Sequence, residues 1–113
     1  MQFIVIGLDG ADAEAPERRA KARQAHIDLG EQLRQSGNMW YGAALLHDDG
    51  SMKGSMILVD FLSEKELHKW LDKEPYVIGK VWQDITIHKS NTREPWQFNH
   101  SQEWFEERYS LEK

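Results

Sequence analysis

Apolar positions follow two periods along this chain. Phe3-Ile4-Val5-Ile6-Gly7-Leu8 is an almost continuous, β-branched apolar run closed by Asp9-Gly10, which predicts a central strand and a turn. From about Ala15 to Gln35 the spacing turns helical, with Ala22, His26, Leu29 and Leu33 on one stripe. Pro16 suits the first turn of that helix, and Ser36-Gly37-Asn38 supplies an exit through a residue that tolerates left-handed geometry. Met39 to Leu46 is aromatic and apolar, and His47-Asp48-Asp49-Gly50-Ser51 is a turn signal before the run Ser55 to Leu62, so a hairpin or meander pair is expected. Ser63-Glu64-Lys65-Glu66 has capping-box spacing and predicts a second helix with Leu67, Trp70 and Leu71 facing inward. Lys73-Glu74-Pro75-Tyr76 ends it, because the residue before a proline is pushed out of the helical region. Val81 to His88, with Ile85 and Ile87 on one face, predicts the last strand.

The order is β-α-β-β-α-β. It predicts an α+β, ferredoxin-like domain over residues 1–89, with both helices on one face of a four-stranded antiparallel sheet. The other face needs a cover, and in a domain this small a second copy is the usual one, so a homodimer is expected. Residues 90–113 form a C-terminal extension that is polar yet carries Trp96, Phe98, Trp104, Phe105 and Tyr109. So many rings predict that it packs on the domain or on the dimer partner, with Glu103 to Leu111 as a short amphipathic helix.

Composition narrows the function classes. The 113 residues suffice for one core without a separate cofactor module. A net charge of −5 with no basic block argues against a nucleic-acid footprint. The chain has no cysteine, which removes thiolate nucleophiles, disulfides and Cys-ligated metal sites. Neither a leader nor a spanning segment is visible at the start, so a cytoplasmic location without membrane contact is the default expectation. Gly7, Gly10 and Gly30 do not make a dinucleotide fingerprint, and no Walker-type loop is present, so no cofactor is expected. The five histidines lack the close pair spacing of familiar zinc motifs, and no metal site is expected either.

The candidate chemistry centres on His26, an imidazole placed where a helix should face its core, with Arg18, Arg19 and Arg23 within two turns. Such a group titrates near neutrality and suits acid/base work, although a lone histidine on an apolar stripe is more often a hydrogen-bonded structural residue. Arg19 and Arg23 lie on or beside the same face and could bind an anionic ligand. The simpler reading of Arg18 and Arg19 is a solvated helix face paired with Glu14 or Glu17, with Arg23 left open. Ser55 follows a glycine at a strand start and has no base at nucleophile spacing, so it is not read as catalytic.

Positions 1–89 resemble the YCII-related proteins. The likeness rests on the opening strand, the spacing Arg19-x3-Arg23-x2-His26, a small-residue strand with Gly42, the Gly54-Ser55 start of the third strand, and the helix-ending triplet Glu74-Pro75-Tyr76. That resemblance implies a dimeric α/β-barrel of two ferredoxin-like protomers with a His–Asp active pair near a pocket between helix and sheet. Carried over position by position, the pair falls on His26 and Glu74, with glutamate where the family usually has aspartate. Tyr76 then becomes a candidate substrate-binding residue beside Arg19 and Arg23, against the commoner fate of a buried ring with a satisfied hydroxyl. Two functions remain: a cofactor-independent lyase or isomerase acting on a small anionic or aromatic molecule, and a non-catalytic dimeric binding or interaction domain.

Overall fold

The computed structural model describes residues 1–94 and 100–112. Its elements are β1 (Gln2–Asp9), α1 (Ala15–Gln35), β2 (Met39–Leu46), β3 (Met52–Asp60), α2 (Glu64–Leu71), α3 (Pro75–Ile78), β4 (Trp82–Ser90) and α4 (Gln102–Glu112). Local chemistry explains most boundaries. Gly37 takes φ 82°, while Gly37 and Asn38 donate to the carbonyls of Arg34 and Leu33, closing α1 as a Schellman motif. Gly50, at φ 88°, turns the β2–β3 hairpin, and Asp49 accepts from the backbone and hydroxyl of Ser51 beside it. The Ser63 hydroxyl accepts from the Glu66 amide and starts α2.

The largest departures from the apolar pattern are at β3 and after α2. β3 begins at Met52 and stops at Asp60, because the ladder with β2 continues to the Leu46–Met52 pair, whereas Leu62 is 92% exposed in the loop before α2. The short helix α3 was not predicted. Pro75 cannot continue α2, but its fixed φ suits a first helical turn, and Glu74 caps that turn from an extended conformation through the Tyr76 amide.

The sheet order is β2-β3-β1-β4 with every pair antiparallel. Register decides the faces. Val5 lies between Ile57 and Ile87, and Gly7 between Ser55 and Ile85, on the side that the helices cover. Phe3, Val5, Ile57 and Val59 meet Leu67, Trp70 and Leu71 of α2 there, together with Tyr76, Val81 and Trp82. Ile4 and Ile6 point the other way, between Leu58 and Met56 on one side and His88 and Thr86 on the other. They remain half-buried on the open face.

Gly7 has a steric purpose. A Cβ there would come within 2.3 Å of the Trp82 ring, so the absent side chain lets that indole lie flat over β1. A Cβ on Gly54 would meet the Gly7 carbonyl oxygen at 2.2 Å, which makes glycine obligatory on the neighbouring strand as well.

The extension forms α4 one residue longer at each end than predicted. It is not amphipathic: its apolar residues are spread around the axis, and Tyr109 and Leu111 are exposed. Local packing organises its rings, with His100 stacked on Trp104 at 3.8 Å and Trp104 edge-on to Phe105 at 5.0 Å. Trp96 and Phe98 lie outside the described residues. No helix among the described residues is long and apolar enough to cross a membrane.

Candidate active site

Residues 19, 23, 26 and 30 recur at helical spacing, so one face of α1 presents Arg19, Arg23, His26 and Gly30 to the sheet. Between that face and β2 lies a cleft of about 380 Å³, walled on the strand side by Trp40, Gly42 and Ala44 and floored by Ser55, Ile57 and Tyr76. Glycines and alanines leave the room: a Cβ on Gly42 would meet nothing within 4 Å.

His26 and Glu74 meet, although 48 residues separate them. α3 makes the contact. Its capping geometry turns Glu74 inward until the side chain is wholly buried, and Oε1 accepts from the Tyr76 amide at 3.2 Å. The same oxygen faces His26 Nδ1. An ionised carboxylate oxygen can only accept, so opposite it the ring nitrogen is the donor, which in the neutral ring leaves Nε2 to accept. The extra methylene of glutamate, relative to the aspartate of the resemblance, is taken up by reaching both the cap and the imidazole. Glu74 Oε2 is buried without a partner among the described residues.

Aromatic contacts fix the plane of the imidazole. Its ring stacks on Tyr76 with centroids 3.8 Å apart and planes within 8°. Trp82 stands edge-on to both, at 6.0 Å from His26 and 5.7 Å from Tyr76. His26 keeps 19% side-chain exposure, toward the cleft.

Arg19 corrects the solvated-face reading. It does not pair with Glu14 or Glu17 but forks onto Asp9 at the end of β1, with Nε to Oδ2 at 2.6 Å and Nη2 to Oδ1 at 3.1 Å. Nη1 also donates to the Tyr76 hydroxyl at 3.3 Å and Nη2 to Ser55 Oγ at 3.2 Å. Side-chain exposures of 13% and 7% mark Arg19 and Asp9 as a largely dry pair. Burial opposes the Arg19 charge, but the hydrogen bonds and charge of Asp9 outweigh it and hold the guanidinium pKa above its ordinary value. Arg18 likewise pairs elsewhere than predicted. It grips Asp12 with two hydrogen bonds and donates to the Lys80 carbonyl, tying α1 to the turn before β4. Arg23 is exposed at the rim of the cleft.

Burial pushes the Tyr76 phenol up, further than the nearby charges of Arg19 and Arg23 pull it down, so the hydroxyl keeps its proton beyond the ordinary tyrosine range. The protonated phenol favours the fold below the ordinary tyrosine pKa, and that contribution is lost as pH rises through the higher folded value.

All five expected site residues, His26, Glu74, Arg19, Arg23 and Tyr76, border the cleft or support a residue that does. Two participants went unread in the sequence. Asp9 passed for a turn residue, and Ser55 for a strand start, though its hydroxyl accepts from Trp82 Nε1 at 3.4 Å as well as from Arg19. The available signal was the arginine itself, since a cation on an inward helix face requires a carboxylate at its end. No cluster of three or more metal-ligating side chains occurs among the described residues.

The family model of the YCII-related domain matches residues 1–91. The chain is 25% identical over 93 residues to Protein YciI of Escherichia coli O6:H1, covering 77% of this chain and 93% of that protein. The Protein YciI of Shigella flexneri shows the same figures. Among solved structures, the 5-chloro-2-hydroxyhydroquinone dehydrochlorinase TftG of Burkholderia phenoliruptrix AC1100, in complex with 2,5-dihydroxybenzoquinone, superposes with a TM-score of 0.71 at 19% identity. That alignment covers 82% of this chain and 96% of TftG, and the likeness is one of fold.

Proposed function

This chain belongs to the YCII-related family, and from that premise we propose that its cleft is the active site of a small-molecule enzyme of lyase or isomerase type, in which His26 moves a proton and Glu74 orients it. One observation carries the reading. The imidazole on the cleft wall is held at Nδ1 by a fully buried carboxylate, while Nε2 has no hydrogen-bond partner among the described residues. A structural histidine has both nitrogens tied up by protein, whereas a general base needs one that is held and one that is open. The dehydrochlorinase named for TftG is also a small-molecule enzyme, and it supports the class though not the substrate. Proton transfer of this kind uses side chains alone, and a cofactor has no assigned part in it. The ligand expected is small, and anionic or aromatic, because the cleft has apolar walls and Arg23 at its rim.

An NMR titration of the His26 ring, with and without a set of small carboxylates and phenols, tests this. The expected result is proton occupancy at Nδ1 in the neutral ring and a ligand-dependent shift of the Nε2 resonance. A ring that neither titrates nor responds to any ligand would overturn the enzyme reading in favour of a non-catalytic interaction domain.

A second copy of the chain is the proposed cover for the open sheet face. Ile4, Ile6 and Met56 form a half-buried apolar patch there beside the buried Leu58, and sheet-on-sheet packing would remove it from water. Sedimentation equilibrium is expected to return a dimer. A monomer throughout the micromolar range would remove this part of the proposal.

A further inference from the structure

We infer that Ser55 and Tyr76 together form a hydroxyl donor pair for an oxyanion of the ligand, a singly charged oxygen on a flat organic molecule. This rests on the reading of the cleft as a ligand site, and not on whether His26 turns that ligand over. Ser55 Oγ accepts from Arg19 Nη2 and from Trp82 Nε1, at 3.2 and 3.4 Å, so both of its lone pairs are engaged. The Tyr76 oxygen accepts from Arg19 Nη1 at 3.3 Å. Neither hydroxyl has an acceptor for its own proton among the described residues, and both line the cleft. Ser55 is therefore a group that can only give a hydrogen bond further, and Tyr76 is one whose proton is uncommitted.

The role of Arg19 is indirect. Four hydrogen bonds already use its fork, two of them on Asp9, so its charge is compensated where it stands. An incoming oxygen meets hydroxyls that the guanidinium polarises, and polarised donors in a chain bind an anion more strongly than isolated ones. Arg19 is accordingly a positioning residue, which replaces the substrate-binding role expected of it. Gly30 and Gly42 leave the approach open: a Cβ on Gly30 would reach only Met39, at 3.7 Å, and one on Gly42 nothing within 4 Å. A single ring is small enough for a cleft of about 380 Å³, and its charged oxygen would lie between the two donors.

The test compares two probes of one shape at one mildly alkaline pH: 4-nitrophenol, ionised there, and 4-nitroanisole, whose oxygen is capped by a methyl group. The native chain is expected to bind the phenolate more tightly than the ether. Ser55→Ala and Tyr76→Phe are each expected to weaken phenolate binding about tenfold, as for a hydrogen bond to a charged group, while ether binding stays within about twofold. Thermal melts of both variants establish that they are folded, and the two substitutions test the pair independently. Equal losses for both probes, or undiminished phenolate binding in both variants, would overturn the donor pair and leave the cleft as a ligand site. Failure of the native chain to bind either probe would overturn both readings. Phenolate selectivity that depends on these hydroxyls would stand even if the His26 ring proved silent to titration.

Discussion

Replacing Arg19 with alanine is expected to lower the free energy of unfolding by about 3–5 kcal/mol, the usual penalty for stranding one partner of a buried ion pair. Asp9 is the partner left behind. With 7% side-chain exposure it cannot recover much hydration, and both of its oxygens lose their donors at once. The Tyr76 and Ser55 hydroxyls lose the donors that orient them, so the loss extends from the base of α1 into the cleft. Urea denaturation measures the difference. Combining Arg19→Ala with Asp9→Ala is expected to cost less than the sum of the two single changes, by about 0.5–3 kcal/mol, because the second change removes the stranded charge. A single-variant loss below about 1 kcal/mol would mean that the pair behaves as an exposed surface bridge and that the donor network is not held by it.

Turnover should respond most to His26→Ala. A positioned general base contributes on the order of 100- to 10,000-fold, and a loss of that size is expected on whatever substrate the ligand search identifies, with fold and assembly retained. The cleft accounts for the difference between chemistry and stability. His26 lies on a wall that keeps contact with solvent, whereas Phe3, Val5 and Leu67 carry the core beneath it. Glu74→Gln keeps the size of the side chain and an acceptor for the Tyr76 amide, but removes the carboxylate that sets the imidazole tautomer. An intermediate loss is expected from it. Wild-type turnover in folded His26→Ala would sink the catalytic role outright, and the non-catalytic binding reading would then describe the cleft.

Much of the fold was legible because its signals are local. Helix α1 was expected to end at Gln35 and does so, since Gly37 and Asn38 carry the whole exit motif. Ser63 starts α2 where the capping spacing placed it. Ile85 and Ile87 share a face because side chains alternate along a strand, and their partners Gly7 and Val5 lie on the helix side. What escaped was set by competition between neighbours. Pro75 reads as a helix breaker, and it also opens α3 once Glu74 caps the turn. The apolar run through Leu62 continues beyond the strand because the ladder, and not the run, ends β3.

The candidate site divides along the same line. By itself the sequence determined that an arginine, a second arginine and a histidine share one face of α1, because a 3.6-residue repeat is a property of any stretch of helix. It also placed a carboxylate and a tyrosine on either side of Pro75, where helix formation is interrupted. Only the tertiary structure decided that Arg19 answers to Asp9 and that Glu74 reaches His26, across 10 and 48 residues of chain. It also decided that Ser55 stands under the same guanidinium, 36 residues away. The physical reason is that periodicity specifies the face a side chain occupies but not the element that arrives opposite it. Strand register and the turn at Glu74 make that choice, and a buried charge then accepts the partner they bring within reach.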